Sequence, residues 1–386
     1  MITELRLENW KSFGEATLYI DPLSILIGTN ASGKSNVLDA LQFLQRIANG
    51  TNVKDALNGL RGGLDWVVKK PNNVFSLSVT NQILDDKYQY TIRCEIKKNQ
   101  DVIIIDECLT VLNYKKEFRY HTDSQRISSL YVQLFSKTIK TEGESGIPIW
   151  CGSVAMNIGV SVRRVVMFNP IASTMKHYST LSDQIDSDAG NIAGVLAALS
   201  PEKQKEIEDT LTQYANRLPE RDIHRVYAEK VGKLGKDAML YCDEKWGESG
   251  EVFTVDARAM SDGTLRFLAI LTALLTLPEG SLLAIDEVDN GFHPSRAHLL
   301  LEALQTIGKQ RNIDVLVTTH NPALLDALGT EFVPFVTVAH RDSITGESKL
   351  TLLEDIEQLP KLLAQGTVGK LSTQGLIEKS LESVHG

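Results

Sequence analysis

The sequence predicts an α/β fold: a mostly parallel, helix-covered core sheet, with an antiparallel β lobe and a helical insertion set into it. Three observations carry that expectation. A compact, largely apolar strand, Leu23-Ser24-Ile25-Leu26-Ile27, runs into a glycine loop and then into a helical pattern. From residue 264 onward helix and strand periods alternate, with helix over 264–277, strand over 281–285, helix over 294–307, strand over 313–318 and a short helix over 322–328. Between these two parts, residues 75–80, 88–96, 102–112 and 118–121 are rich in β-branched and aromatic residues and are separated by polar turns.

The remaining elements follow in chain order. Ile2, Leu5 and Leu7 alternate, as do Ala16, Leu18 and Ile20, and Gly14 lies between the two runs, so the chain opens on a hairpin. After the glycine loop Val37, Leu38, Leu41, Leu44 and Ile47 recur at helical spacing until Asn49-Gly50 ends the helix. Residues 163–168 read as a strand closed by Asn169-Pro170. Residues 190–240 read as helix through Leu196, Leu199, Ile207, Leu211 and Tyr214, too short and irregular for a long coiled-coil arm. The expected division is a core of residues 1–50 and 255–345, a β-rich lobe over 51–170, a helical insertion over 171–254 and a tail over 346–386.

Composition narrows the class. Hydrophobic content of 42% and charged content of 23% are those of an ordinary globular chain. No apolar run approaches the roughly 18 residues of a membrane span. The N-terminus lacks the basic and apolar regions of a signal peptide. Cys94, Cys108, Cys151 and Cys242 are scattered without metal-ligand spacing and read as reduced thiols. A cytoplasmic protein with no membrane partner is therefore expected. The net charge of −9 gives no overall drive towards DNA, so DNA is a possible partner only through a local surface. Lys97-Lys98 and Lys115-Lys116 are short runs of the kind usually found on solvated faces.

The chemistry concentrates at three points. Gly28-Thr29-Asn30-Ala31-Ser32-Gly33-Lys34-Ser35 fits G-x-x-x-x-G-K-[ST] between a strand and a helix. Backbone amides of such a loop turn inward around phosphate oxygens, and the helix adds its positive end. Lys34 reaches the β- and γ-phosphates in this reading, and Ser35 ligates Mg²⁺. The strand over 282–285 ends in Asp286-Glu287, which places two carboxylates at the edge where ligands gather. Asp286 suits a Mg²⁺ ligand and Glu287 a base for the attacking water. His320 ends the next apolar strand, where it either senses the γ-phosphate or is structural. Ser261-Asp262-Gly263-Thr264, by itself, reads as a helix cap and turn.

The order of glycine loop, Ser-Asp-Gly-Thr, apolar-Asp-Glu, Asn-Gly-x-His-Pro and Thr-His-Asn-Pro resembles the ABC-type ATPases of the RecF, SMC and OLD group. The opening Leu5-x-Leu7-x-Asn9-Trp10-Lys11-Ser12-Phe13 is similar to that group's first hairpin, and the likeness is strongest over 1–50 and 255–345. Arg61-Gly62-Gly63 and Gly190-Asn191-Ile192-Ala193 resemble stand-alone bacterial members. The resemblance implies an ABC-type P-loop fold with ATP and Mg²⁺ as cofactors. It implies nucleotide contacts from Lys11, Ser12 and Asn30, Ala31, Ser32, Gly33, Lys34, Ser35 and Asn36, metal ligands Ser35 and Asp286, and catalysis by Lys34, Glu287 and His320. Ser261 and Gly263 then belong to a signature element that meets the γ-phosphate held by another subunit, so ATP joins a homodimer.

This signature departs from Leu-Ser-Gly-Gly-Gln at Met260, Asp262 and Thr264, and Asp262 is expected to cap the helix or to bind Arg266. Asp289-Asn290-Gly291 takes the place of the loop that couples two sites, and His293-Pro294 starts the next helix. Neither Gln133 nor Gln184 fits the glutamine that many relatives use near the metal. The expected function is an ATP-hydrolysing switch for a separate effector protein, in a bacterial defence or toxin-type system. The alternative is a RecF- or SMC-like DNA-binding ATPase in repair or genome maintenance. A transporter motor is opposed by the opening hairpin, the altered signature and the β-rich insertion.

Overall fold

The computed structural model describes the chain except for residues 84, 115, 120–125, 129, 131–148, 220–221, 247–250, 290–291, 328 and 383–386. Its described strands form three sheets. The core sheet runs, in spatial order, Ser348–Leu352, Val336–Arg341, Leu23–Ile27, Asp314–Thr319, Leu282–Ile285 and Val165–Phe168. All pairings are parallel except the first, where Ser348–Leu352 returns antiparallel as an edge. Its inner strands are buried on both faces, and alternate residues feed two separate cores. Leu23, Ile25 and Ile27 pack with the helices Asp262–Thr276 and Ala297–Arg311, whereas Leu26 points to the helix Lys34–Ala48.

The second sheet is antiparallel and runs Glu15–Tyr19, Ile2–Glu8, Val74–Ile83, Asp86–Ile96, Val102–Val111 and Lys116–Arg119. The opening hairpin therefore belongs to the β lobe rather than to the core in which it was expected. The reason is its register: Leu5 lies opposite Val79 and Leu7 opposite Leu77, which aligns their apolar faces. Trp10 and Phe75, with ring centres 5.2 Å apart, and Phe43 at 5.8 Å from Phe75 fasten this lobe to the helix Lys34–Ala48. Residues 120 and 121, expected to end its last strand, lie outside the described residues, as does Lys115.

The expected helical insertion is only partly helical. Helices cover Ile192–Ala198 and Pro201–Ala215, and Ser200 caps the second through the Lys203 amide. Beyond them Ile223–Val231, Asp237–Trp246 and Glu251–Asp256 form an antiparallel sheet, extended by Ser179–Thr180. The strand formers Ile223, Val226 and Tyr227, and a turn that needs positive φ at Gly232 and Gly235, override the helical spacing that ends at Tyr214.

Two boundaries also move. Val165–Phe168 pairs with Leu282–Ile285, so it joins the core sheet rather than the β lobe. The boundary at 345 would cut the hairpin made by Val336–Arg341 and Ser348–Leu352. After it, Leu353, Leu371 and Ile377 pack into the same core as the helix Asp262–Thr276. Cys94, Cys108 and Cys242 are buried and, among the described residues, in no disulfide, and the side chain of Cys151 lies outside the description. Among the described residues no helix is long and apolar enough to cross a membrane.

Candidate functional site

The glycine loop leaves the C-terminal end of Leu23–Ile27 and is held in a shape that only small residues permit. Gly28 has φ +146°, and a Cβ there would lie 2.2 Å from the Ala339 carbonyl oxygen. Gly33, at φ +117°, would place one 2.8 Å from the Ser348 hydroxyl. Ala31 is also left-handed, and with Asn30 it stands exposed at the tip. Lys34 is buried and donates to the carbonyls of Gly28 at 2.6 Å and Thr29 at 3.0 Å, folding its ammonium back across the loop. Burial lowers its pKa, opposed by the charges of Asp286, Glu287 and Asp289. The Ser32 hydroxyl is 1% exposed and has no hydrogen-bond partner. An orphaned donor inside such a loop fits an anion, as do the amides at the start of a helix with no acid in its first turn.

Asp286 and Ser35, distant in sequence, are brought together as expected: the Ser35 hydroxyl donates to Asp286 Oδ2 at 3.4 Å. Thr318 orients the other carboxylate oxygen, donating to Oδ1 at 2.7 Å, and accepts the Glu287 amide at 2.8 Å. The parallel register sets this up by aligning Ile285 with Val317, one residue before each functional end. Glu287, held at φ +48°, turns its carboxylate out towards His320. Nδ1 of His320 lies 4.0 Å from Oε1 of Glu287, and both side chains are 47% exposed. Asp289 is buried with one oxygen unpartnered, while Asn290 and Gly291 lie outside the described residues.

Three contributors escaped the sequence reading as site residues. Arg61 donates to Asp39 at 3.1 Å, to Asp286 at 3.2 Å and to the Ser35 carbonyl at 3.0 Å, so a guanidinium spans the carboxylates beside the loop. Asp39, nominally a helix position, is the buried partner of both Arg61 and Lys11. Thr318 reads in sequence as one more strand residue. The Arg-Gly-Gly run was the available signal for Arg61; nothing local marks the other two.

Lys11 and Ser12 reach the loop from the hairpin. Lys11 pairs with Asp39 at 2.5 Å, and the Ser12 hydroxyl accepts from Asn36 at 2.8 Å and from Ser348 at 2.7 Å. Ser261 caps its helix by accepting the Thr264 amide at 3.1 Å, and Asp262 binds Lys176 at 2.7 Å. The cap expected of Asp262 is made by Ser261 instead. Among the described residues no hydrogen bond or ion pair joins Ser261 or Gly263 to the loop of the same chain. His293 bonds Ser295 at 2.7 Å and opens the turn Pro294–Arg296 before the next helix, as expected of a helix start. Gln184 is exposed and its carbonyl accepts from Ser182 and Asn191; Gln133 lies outside the described residues.

A parallel sheet that carries this loop, with Asp-Glu ending the strand two places away, defines a P-loop nucleoside-triphosphatase. A family model described as "AAA ATPase domain" matches residues 1–146, and one described as "AAA domain, putative AbiEii toxin, Type IV TA system" matches residues 183–326. An ATP/GTP phosphatase of Helicobacter pylori (strain ATCC 700392 / 26695) is 24% identical over 357 residues, covering 85% of this chain and 87% of that protein. The fold is shared with an SMC head bound to the C-winged helix domain of ScpA, at TM-score 0.52 and 13% identity over 91% of this chain and 96% of the other. It is shared also with an SMC head domain with an extended coiled coil, bound to the C-terminal domain of ScpA derived from Pyrococcus furiosus, at TM-score 0.54 and 12% identity over 94% and 98%. The chain thus shares the fold of the SMC heads, and two stretches of it match ATPase-domain models.

Proposed function

We propose that the chain hydrolyses ATP with Mg²⁺ at a site completed by a second copy of itself, and that the resulting cycle switches a separate effector protein. The observation that carries the reading is the paired end of two strands, where Asp286 is tied to Ser35 and Thr318 while Glu287 stands free to meet water opposite His320. The orphaned Ser32 hydroxyl and the loop amides would receive the phosphates, with Lys34 turning from its carbonyl partners to the β- and γ-oxygens. Ser35 and Asp286 would hold Mg²⁺, which would supply charge neutralisation there. Such sparse protein ligation suits a metal that keeps its waters and its phosphates. Arg61, which spans Asp286 and Asp39, must give up its Asp286 contact when that charge arrives. Glu287 orients and deprotonates the attacking water, and His320 lies close enough to its carboxylate to hold it in place.

The second copy is called for by Ser261 and Gly263. They form a capped helix start, suited to a γ-phosphate, that among the described residues makes no hydrogen bond or ion pair with the loop of their own chain. Under this reading Glu287→Gln binds ATP, turns over at least about 100-fold more slowly, and accumulates an ATP-dependent dimer in sedimentation velocity. Normal turnover by that variant removes Glu287 from its role as the base. The toxin-system wording of the family matched at 183–326 supports an effector in a defence or toxin-type setting. The SMC-head fold supports the alternative, a DNA-linked ATPase. Recovery of partners from the native host, with and without DNA digestion, separates them: a stoichiometric protein that survives digestion favours the effector, and loss on digestion favours DNA.

A further inference from the structure

His320 follows the strand Asp314–Thr319 directly, and two residues later the chain enters the helix Pro322–Ala327. Upstream its place is fixed, because Thr319 is fully buried and lies opposite Ile27 in the core sheet. Downstream it depends on a helix of only 6 residues. Isolated helices shorter than about 12 residues are marginal in water, so tertiary packing must hold this one. Part of that packing comes from the tail. Leu324 and Leu325 are buried in one core with Val368, Leu371 and Ile377. The tail helix Val368–Thr373 approaches closely at Gly369, where a Cβ would overlap the Pro322 carbonyl oxygen and the Asp326 carboxylate. Glycine weakens a helix interior relative to alanine, so its missing side chain serves this approach and not the helix. The Asp326 carboxylate could rotate aside. The Pro322 oxygen is backbone, and it moves only with the first turn of its helix, two residues from His320.

We propose that the tail takes part in hydrolysis: Gly369 is a positioning residue that lets Val368–Thr373 close on Pro322–Ala327 and so holds His320 where it meets Glu287. The proposal rests on the reading that His320 steadies the Glu287 carboxylate, 4.0 Å from its ring. A side chain at position 369 would drive the first turn of Pro322–Ala327 back by about 1 Å before an ordinary carbon–oxygen contact is restored. A misplacement of that size, caused far from the chemistry, can cost about 100-fold in rate. ATP binding should be largely spared, because Lys34 and the loop amides hang from a different strand, Leu23–Ile27. The residues that the sequence sets apart as a tail thereby act on turnover and not on nucleotide affinity.

The test compares steady-state ATPase rate and affinity for a non-hydrolysable ATP analogue in full-length wild type, Gly369→Ala, Thr373→Ala, His320→Ala and the double variant Gly369→Ala/His320→Ala. Thr373→Ala is the structural control. It removes the Thr373 hydroxyl bond to the Gly369 carbonyl, 2.8 Å long, and so weakens the same helix without pushing on Pro322. Gly369→Ala should lower kcat about 10- to 100-fold and keep analogue affinity within about threefold of wild type. Thr373→Ala should stay near the wild-type rate. The double variant should turn over as slowly as His320→Ala and no slower, because both changes act through one group. A normal kcat in Gly369→Ala, an equal loss in Thr373→Ala, or losses that multiply in the double variant overturn the positioning role. If His320→Ala itself turns over at the wild-type rate, the reading of His320 fails, and the role of Gly369 with it. Should circular dichroism show Gly369→Ala unfolded, Leu371→Ala, which opens a gap in the same core, takes its place under the same expectations.

Discussion

Replacing Asp39 with alanine should be among the most damaging single changes in the β lobe and its helix. The Asp39 carboxylate is 3% exposed and holds Lys11, itself 6% exposed, at 2.5 Å and Arg61 at 3.1 Å. Removing it leaves the Lys11 ammonium buried with, among the described residues, the Arg61 carbonyl 2.8 Å away as its remaining hydrogen-bond partner. Breaking a buried pair by deleting one member costs about 3–5 kcal/mol, because the surviving charge stays desolvated. Lys11→Met should cost less, about 1–3 kcal/mol, since Asp39 keeps the guanidinium of Arg61. The double variant should then be more stable than Asp39→Ala alone, a positive coupling in the cycle. Equilibrium urea unfolding followed by circular dichroism measures all three. A cost below about 1 kcal/mol for Asp39→Ala would refute the claim that this buried cluster anchors the hairpin to the helix.

Two further outcomes follow from neighbouring contacts. Thr318→Val removes the hydroxyl that both orients Asp286 and accepts the Glu287 amide, so ATP turnover should fall about 10- to 100-fold and the Mg²⁺ needed for half-maximal rate should rise. Unchanged Mg²⁺ dependence in a titration of the steady-state rate would contradict that. Burial raises the Asp314 carboxyl to about 7, with Asp21 adding to the shift and the N-terminal ammonium opposing it. The folded state therefore holds this proton more tightly than the unfolded chain, and stability is lost as pH rises from about 4 through about 7 and stays lowered above. Asp314→Asn should flatten that part of the urea-midpoint profile and stabilise the protein at pH 8; a steeper profile would contradict the shift.

The parts of the molecule legible in the sequence were those set by local pattern. Leu23–Ile27, the glycine loop and the helix after it are contiguous, so periodicity and spacing reveal them together. Asp286-Glu287 and His320 were readable because parallel strands deliver their C-terminal ends to one edge. What escaped depends on contacts across the chain. Asp39 sits on an ordinary amphipathic helix until Lys11 and Arg61 arrive from other elements, 28 and 22 residues away. Thr318 matters only because the register brings it to Asp286, 32 residues distant. The strands over 223–256 were masked by the helical spacing before them, although their β-branched residues and paired glycines carried the opposite signal.

The central claim is that each ATP site is divided between two chains, and mixing two inactive variants tests it most directly. Lys34→Ala lacks the loop lysine and Ser261→Arg blocks the helix start, so each alone should be inactive. Mixed in equal amounts, half of the dimers pair one variant with the other and rebuild one of two sites. The account predicts recovery of about a quarter of the wild-type ATPase rate. A mixture no more active than its separate components would contradict the shared site.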